Sequence, residues 1–250
     1  MPEEPQENKL KHPCFPQVDD ESARVWRYMD LAKFVWLIES QSLFLPRLDL
    51  LNDPHEGSIP PFIVKARNEQ LLGMNAEKFA NEIRDINQQT RRAIFVSCWN
   101  LGNDESEAMW RLYCSNDHGV AIRTTYGKLV NSVSDDPYLY IGRVTYIDYK
   151  SQGFPQDNMF YPVMHKRLSF SHEREIRMVK TSSQYWGLGS PAGPVGVSIP
   201  WKPESTIDAV YVNPYAPSYY YDVVRMIVNR IIPSLSDKLF WSEIRENPAF

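Results

Sequence analysis

From Arg24 to Met29 apolar and polar positions alternate, so Val25, Arg27 and Met29 share one face of a predicted strand and Trp26 and Tyr28 the other. The period then changes. Leu31, Phe34, Val35 and Ile38 recur at helical spacing behind Asp30, a good N-cap residue, which predicts a helix over Leu31–Ser40. A short strand at Leu43–Leu45 leads into Leu51-Asn52-Asp53-Pro54-His55-Glu56-Gly57, where Asn, Asp, Pro and Gly are the residues of a turn. The stretch from Pro61 to about Gln89 is charged and helical, with a break near Gly73. Ala93 to Trp99 is a nearly continuous apolar run, the pattern of a strand covered on both faces. A helix over Glu105–Cys114 carries Met109, Trp110 and Tyr113, and strands follow at Gly119–Thr125, Ile141–Ile147, Glu173–Val179, Val195–Ile199 and Ile207–Val212. The last amphipathic helix, Ser218 to Ile231, presents Val223, Val224, Ile227 and Ile231.

Strands and helices mix without a regular βαβ beat, which predicts an α+β fold with mixed or antiparallel sheets and flanking helices. Residues 1–22 are rich in Pro, Glu and Lys and are expected to form a disordered or loosely packed tail. No repeat or Pro/Ser linker divides residues 23–250, which are read as a single domain.

Charge narrows the partners. With 27 basic against 31 acidic side chains, no general affinity for nucleic acid or an anionic membrane surface is expected. No apolar run reaches the length of a membrane span, and the start lacks the basic-then-apolar order of a signal peptide. Three cysteines without CxxC spacing point to a reducing compartment, with no disulfide framework and no cysteine-rich zinc site. A cytoplasmic protein is expected.

Several enzyme classes lose their signature. There is no GxGxxG, since Gly187, Gly189 and Gly193 have the wrong spacing and Pro191 stands where a helix would start. Walker, HExxH and GxSxG motifs are absent as well. With glycine scarce, a phosphate would have to be held by side chains.

The segment from Phe170 to Val179 carries the densest chemistry. As a strand it would set Glu173, Glu175 and Arg177 on one face and Ile176 and Met178 on the other. Two carboxylates roughly 6–7 Å apart resist joint ionisation, which is how an acid/base or cation-stabilising site is tuned. The alternative is a solvated, charged strand face of the kind that prevents edge aggregation. Arg27, between Val25 and Met29, is either paired within the protein or aimed at an anion. Ser97 interrupts an apolar run and shares a face with Phe95 and Trp99, which fits a backbone-bonded serine or the lining of a small-molecule pocket. Asn52, Asp53, His55 and Glu56 could ligate a metal, but turn chemistry is the stronger explanation, and no metal is expected. Trp99, Trp110, Tyr113 and Met109 fit core packing first, although aromatics near a polar strand could also stack on a base or nicotinamide ring.

With these residues in place, the chain resembles the bacterial domain of unknown function 2971 family, from about Ala23 to Pro233. The matching pieces are Trp26-Arg27-Tyr28, Leu51 to Gly57, Ser97-Cys98-Trp99, Met109-Trp110 with Tyr113, Gly119 to Ile122, Lys166-Arg167 through Phe170 to Arg177, and Val210 to Pro214. It is also similar to ADP-ribosyltransferases of the Arg–Ser–Glu type. Arg27, Ser97 and Glu173-Arg174-Glu175 occur in that family's order, although Ser97 is followed by Cys98 and Trp99 where those enzymes carry Ser-Thr-Ser. This second resemblance implies NAD as co-substrate and an ADP-ribosyltransferase-like fold. Arg27 would hold the phosphates or ribose, Ser97 would support the nicotinamide ribose, and Tyr28 and Trp99 would lie against the cofactor. Glu175 would stabilise the oxocarbenium-like transition state, and Glu173 would position or deprotonate an unknown acceptor. Two rival expectations stand beside it: a metal-dependent nuclease or phosphoesterase using Asp53, Glu56, Glu173 and Glu175 with Lys166 or Lys180, and a non-catalytic binding or interaction module of a bacterial defence or toxin system.

Overall fold

The change of period at Asp30 is where strand gives way to helix in the computed structural model of the chain, which describes residues 12–70, 76–114, 117–133, 135–186 and 191–245. The Asp30 side chain accepts a hydrogen bond from the backbone N–H of Lys33, so this residue ends β1 (Arg24–Asp30) and caps α1 (Leu31–Ser40). Next come β2 (Ser42–Pro46), α2 (Pro61–Gln70), α3 (Ala76–Ala93), β3 (Ile94–Leu101) and α4 (Glu107–Tyr113). The middle of the chain forms β4 (Gly119–Thr125), α5 (Tyr126–Asn131), β5 (Leu139–Arg143), β6 (Thr145–Ile147), α6 (Phe160–Met164) and β7 (His165–Arg167). The remainder forms β8 (Glu175–Thr181), β9 (Gly196–Pro200), α7 (Pro203–Thr206), β10 (Ala209–Val212), α8 (Ser218–Ile231) and β11 (Leu239–Trp241). The fold is α+β, with a mixed sheet and flanking helices. The expected break near Gly73 lies outside the described residues, as do residues 1–11 and Gly187–Ser190.

Two compact units share the chain, and neither is continuous. One takes residues 1–17, 45–97 and 136–197; the other takes 18–44, 98–135 and 198–250. The strand β3 runs from the first into the second.

In the second unit the strand order is β11-β10-β4-β1-β3. β1 lies antiparallel to β4, from Arg24 opposite Thr125 to Asp30 opposite Gly119, and β10 is antiparallel to β4. β11 adds to β10 in parallel, which makes the sheet mixed. One face is packed by Trp26, Tyr28, Met109, Trp110, Cys114, Ala121, Ala209 and Tyr211, a cluster that fixes Tyr28 and Trp26 on the core side of β1.

In the first unit β8 lies between β3 and β5 and pairs antiparallel with β5, Gly142 opposite Arg177 and Ile141 opposite Met178. The end of the expected loose tail packs here. Phe15 is 1% exposed, stacks on Tyr140 at 5.1 Å and meets Phe160 edge-on at 5.0 Å. The chain crosses directly over Gly142, where a Cβ would come within 2.8 Å of the Phe15 backbone, and the Arg143 N–H donates to Pro16. The segment was expected to be loose because its charged and proline residues outnumber its apolar ones. Buried Cys14 and Phe15 are enough to hold its last part in place.

The predicted strand Ile141–Ile147 is two strands, β5 and β6, separated by Val144, whose N–H donates to the Glu175 carbonyl at 2.9 Å. The predicted strand Glu173–Val179 starts two residues later. Glu173 ends a 3₁₀ turn over Leu168–Glu173, and Arg174, at φ 42°, bends the chain in the left-handed region before β8 begins.

Candidate functional site

The turn over residues 52–57 folds as its composition suggests. The Asp53 carboxylate accepts from the His55 N–H at 3.0 Å, the Asp53 carbonyl accepts from the Glu56 N–H at 3.0 Å, and Gly57 takes φ 68°. The result turns the Glu56 side chain inward to 3% exposure. There it meets the residues of β7 and β8.

Arg177, with no exposed side-chain surface, is the centre of this cluster. Its Nε and Nη2 donate to the two oxygens of Glu175 at 2.6 and 2.9 Å. Its Nη1 donates to Glu56 at 2.9 Å and to the Val163 carbonyl at 2.6 Å. The ammonium of Lys166 reaches Glu56 at 2.9 Å and Glu175 at 3.3 Å and is hydrogen-bonded to Glu173 as well. The ring of Phe170 lies 4.9 Å from the same nitrogen. Beside this, Arg167 pairs with Asp53 at 2.8 Å. The Tyr146 hydroxyl accepts from the Glu175 backbone N–H at 2.9 Å, and burial pushes that phenol well above its ordinary range.

Glu173, Glu175 and Arg177 therefore do come together, but neither as a solvated strand face nor as the open floor of a site. They form a buried ion network. Removing charges from water is costly unless every one is paired, and here each named charge has named partners of opposite sign. The carboxylates of Glu56, Glu173 and Glu175 converge on the Lys166 ammonium. Asp53 pairs with Arg167 instead. Among the described residues no group of three or more His, Cys, Asp or Glu side chains is arranged to hold a metal.

Arg27 belongs to the other unit, together with Trp99 and Tyr28. β1 pairs with β3 so that Val25 lies opposite Leu101 and Trp26 opposite Asn100, and this register brings Arg27 alongside Trp99. The guanidinium carbon sits 5.8 Å from the Trp99 ring centre. Its Nη2 donates to the Phe44 carbonyl at 3.3 Å, while Nη1 is buried without a hydrogen-bond partner. Burial pulls this guanidinium down to about 10 from its ordinary value, with the neighbouring Cys98 thiol opposing the shift. Trp99 meets Trp201 at 6.1 Å, and the Trp201 indole N–H is held by Ser132 at 2.9 Å.

The other expected site residues fall as follows. Ser97 is buried at 1% exposure on β3, two residues before Trp99 and on the same face. Tyr28 points to the opposite side of β1 from Arg27. Its hydroxyl accepts from the Ser106 N–H at 2.8 Å, and its ring meets Trp110 edge-on, so it is a core residue and does not lie against a ligand at Arg27. The sequence reading did not single out Tyr146, Phe44 or Trp36. A tryptophan on the outer, polar side of α1 is a signal that the helical pattern does contain.

No protein-family model, no curated protein and no solved structure matches this chain. The resemblances stated above rest on the quoted residues alone.

Proposed function

We propose that this chain binds an NAD-type dinucleotide through Arg27 and acts as an ADP-ribosyltransferase-like protein on an acceptor still to be identified. Its membership of the domain of unknown function 2971 family belongs to the same proposal. The observation that supports the reading is Nη1 of Arg27, a buried guanidinium N–H with no acceptor beside an indole ring. Burying such a donor unanswered costs stability, and an anionic oxygen is the acceptor that offsets most of that cost. A pyrophosphate oxygen at Nη1 is that acceptor, whereas Trp99, 2% exposed and packed on Trp201, is a core ring and lends a ligand no stacking face.

Cleavage of the nicotinamide–ribose bond leaves positive charge on the ribose, and a carboxylate near that charge lowers the barrier. The reading gives this role to Glu175 and the acceptor to Glu173. Both Glu175 oxygens already accept from Arg177 and Lys166, so the role requires it to exchange one of these donors for a ribose hydroxyl. Three cysteines without CxxC spacing fit a reducing, cytoplasmic setting.

The test is release of nicotinamide from NAD. Arg27→Met should weaken NAD binding at least about tenfold, the loss of one charge-assisted hydrogen bond. Glu175→Gln should leave binding and abolish release, and equal turnover by this variant would exclude Glu175 from the chemistry. The saturation of Glu175 favours a second reading, a non-catalytic binding module. In that case NAD binds through Arg27 and neither protein releases nicotinamide.

A further inference from the structure

Trp36 on α1 and Phe44 on β2 are 40% and 38% exposed, and they meet edge to face with ring centres 6.0 Å apart at 84°. A single exposed aromatic needs no explanation, but two large rings in mutual contact at the surface form an apolar corner. This corner is tied to Arg27 by one residue, because Phe44 supplies both a ring of the pair and the carbonyl that accepts from Arg27 Nη2 at 3.3 Å. Arg27 Nη1, on the same guanidinium, is the buried donor without an acceptor.

We infer that Trp36 and Phe44 form the base-stacking subsite for a nucleoside phosphate whose phosphate is held by Arg27. Other occupants answer only half of the arrangement. An apolar molecule would leave the Arg27 donor unanswered, and a small inorganic anion would leave both rings in water. A nucleoside phosphate carries an anionic oxygen and a flat ring a few ångströms apart, joined by a sugar. The perpendicular rings suit it, since a planar base can stack on one face while its edge meets the other ring.

The inference rests on Arg27 as the anion holder, and it is tested without NAD. Dissociation constants for AMP and ribose 5-phosphate are measured by calorimetry on the full chain. The wild type should prefer AMP about tenfold or more, the usual worth of one base–aromatic stack. Trp36→Ala should reduce AMP to the level of ribose 5-phosphate and leave ribose 5-phosphate unchanged. Trp36→Phe should keep most of the preference. Circular dichroism checks that the exposed substitution leaves the fold intact. Equal binding of the two probes by the wild type, or a preference for AMP that survives Trp36→Ala, overturns the subsite. Nicotinamide release separates the two proposals. An AMP preference that depends on Trp36, in a protein that releases no nicotinamide, keeps the subsite and removes the transfer reading. Release by a wild type with no AMP preference removes the subsite alone.

Discussion

Arg177 holds the carboxylate of Glu175, two residues before it on the same strand, through two parallel bonds of 2.6 and 2.9 Å. Alternate residues of a strand face the same way, so this fork needs no turn of the chain. The third nitrogen of the guanidinium reaches Glu56, which is 121 residues away in sequence. One side chain thus ties β8 to the turn at residues 52–57.

Breaking that tie should be expensive. Arg177→Met leaves Glu175 and Glu56 buried with fewer partners, and the expected loss is about 3–5 kcal/mol of unfolding free energy in urea. The double variant Glu175→Leu with Arg177→Met should lose clearly less than the sum of the two single changes, because it removes both ends of the fork. Additive losses would mean the two residues act independently.

The turn itself offers a backbone test. Gly57 has φ 68°, and a Cβ there would stand 2.6 Å from Leu48 Cδ2 and 3.2 Å from Arg91 Cγ. Gly57→Ala should therefore cost about 1–3 kcal/mol, read by thermal or urea unfolding. Amide exchange across residues 53–58 should rise in the same variant, since the hydrogen bonds of the turn depend on that conformation. A neutral substitution would contradict the backbone geometry described for the turn.

How much of this was legible depended on distance along the chain. The alternation in β1 and the helical spacing in α1 are local, and Asp30 caps where its chemistry suggests. The grouping of Glu173, Glu175 and Arg177 was read correctly for a partly wrong reason. It assumed one straight strand, whereas Glu173 sits in a 3₁₀ turn and Arg174 bends the chain. What decides the nature of the cluster is Lys166 and Glu56, and neither pairing follows from strand periodicity. Tyr28 shows the converse error, because alternation alone placed it opposite Arg27 and the proposed role still assigned both to one ligand. The packing of Phe15 on Tyr140 spans 125 positions and leaves no trace in the composition of the tail.

His165 gives a pH dependence with a definite sign. Burial lowers it from the ordinary value of 6.5, and its Nδ1 lies 2.7 Å from the Tyr161 carbonyl, a fit for the neutral ring donating its N–H. Below about pH 6.5 the unfolded chain takes up a proton that the folded ring takes up only at lower pH. Stability from this residue is therefore complete above 6.5 and falls as pH drops through the window between 6.5 and the lowered folded value. Unfolding curves at pH 7.5 and 5.5 should show a smaller acid loss for His165→Asn than for the wild type. Equal acid losses would remove His165 from the account.

The three cysteines should differ sharply towards a thiol reagent. Burial pushes the Cys14 thiol up to about 11 and the Cys114 thiol up to about 12, and both are 3% exposed. Cys98 is only partly buried. In the native protein a disulfide reagent should modify Cys98 first, with the other two reacting at the rate of unfolding. Mass spectrometry of the labelled peptides distinguishes the sites, and early labelling of Cys114 would contradict its burial.

The chain passes between its two units at residues 17/18, 44/45, 97/98, 135/136 and 197/198. During synthesis, then, no unit is finished until its last segment has left the ribosome. The stretch ending at 197 is needed by one, and the stretch that begins at 198 is needed by the other. A cut anywhere between residues 45 and 197 separates segments of both units, so neither unit can be expressed as one continuous fragment. The same interleaving makes most stabilising pairings non-local, which slows folding and lengthens the time that apolar strands stay exposed to other chains.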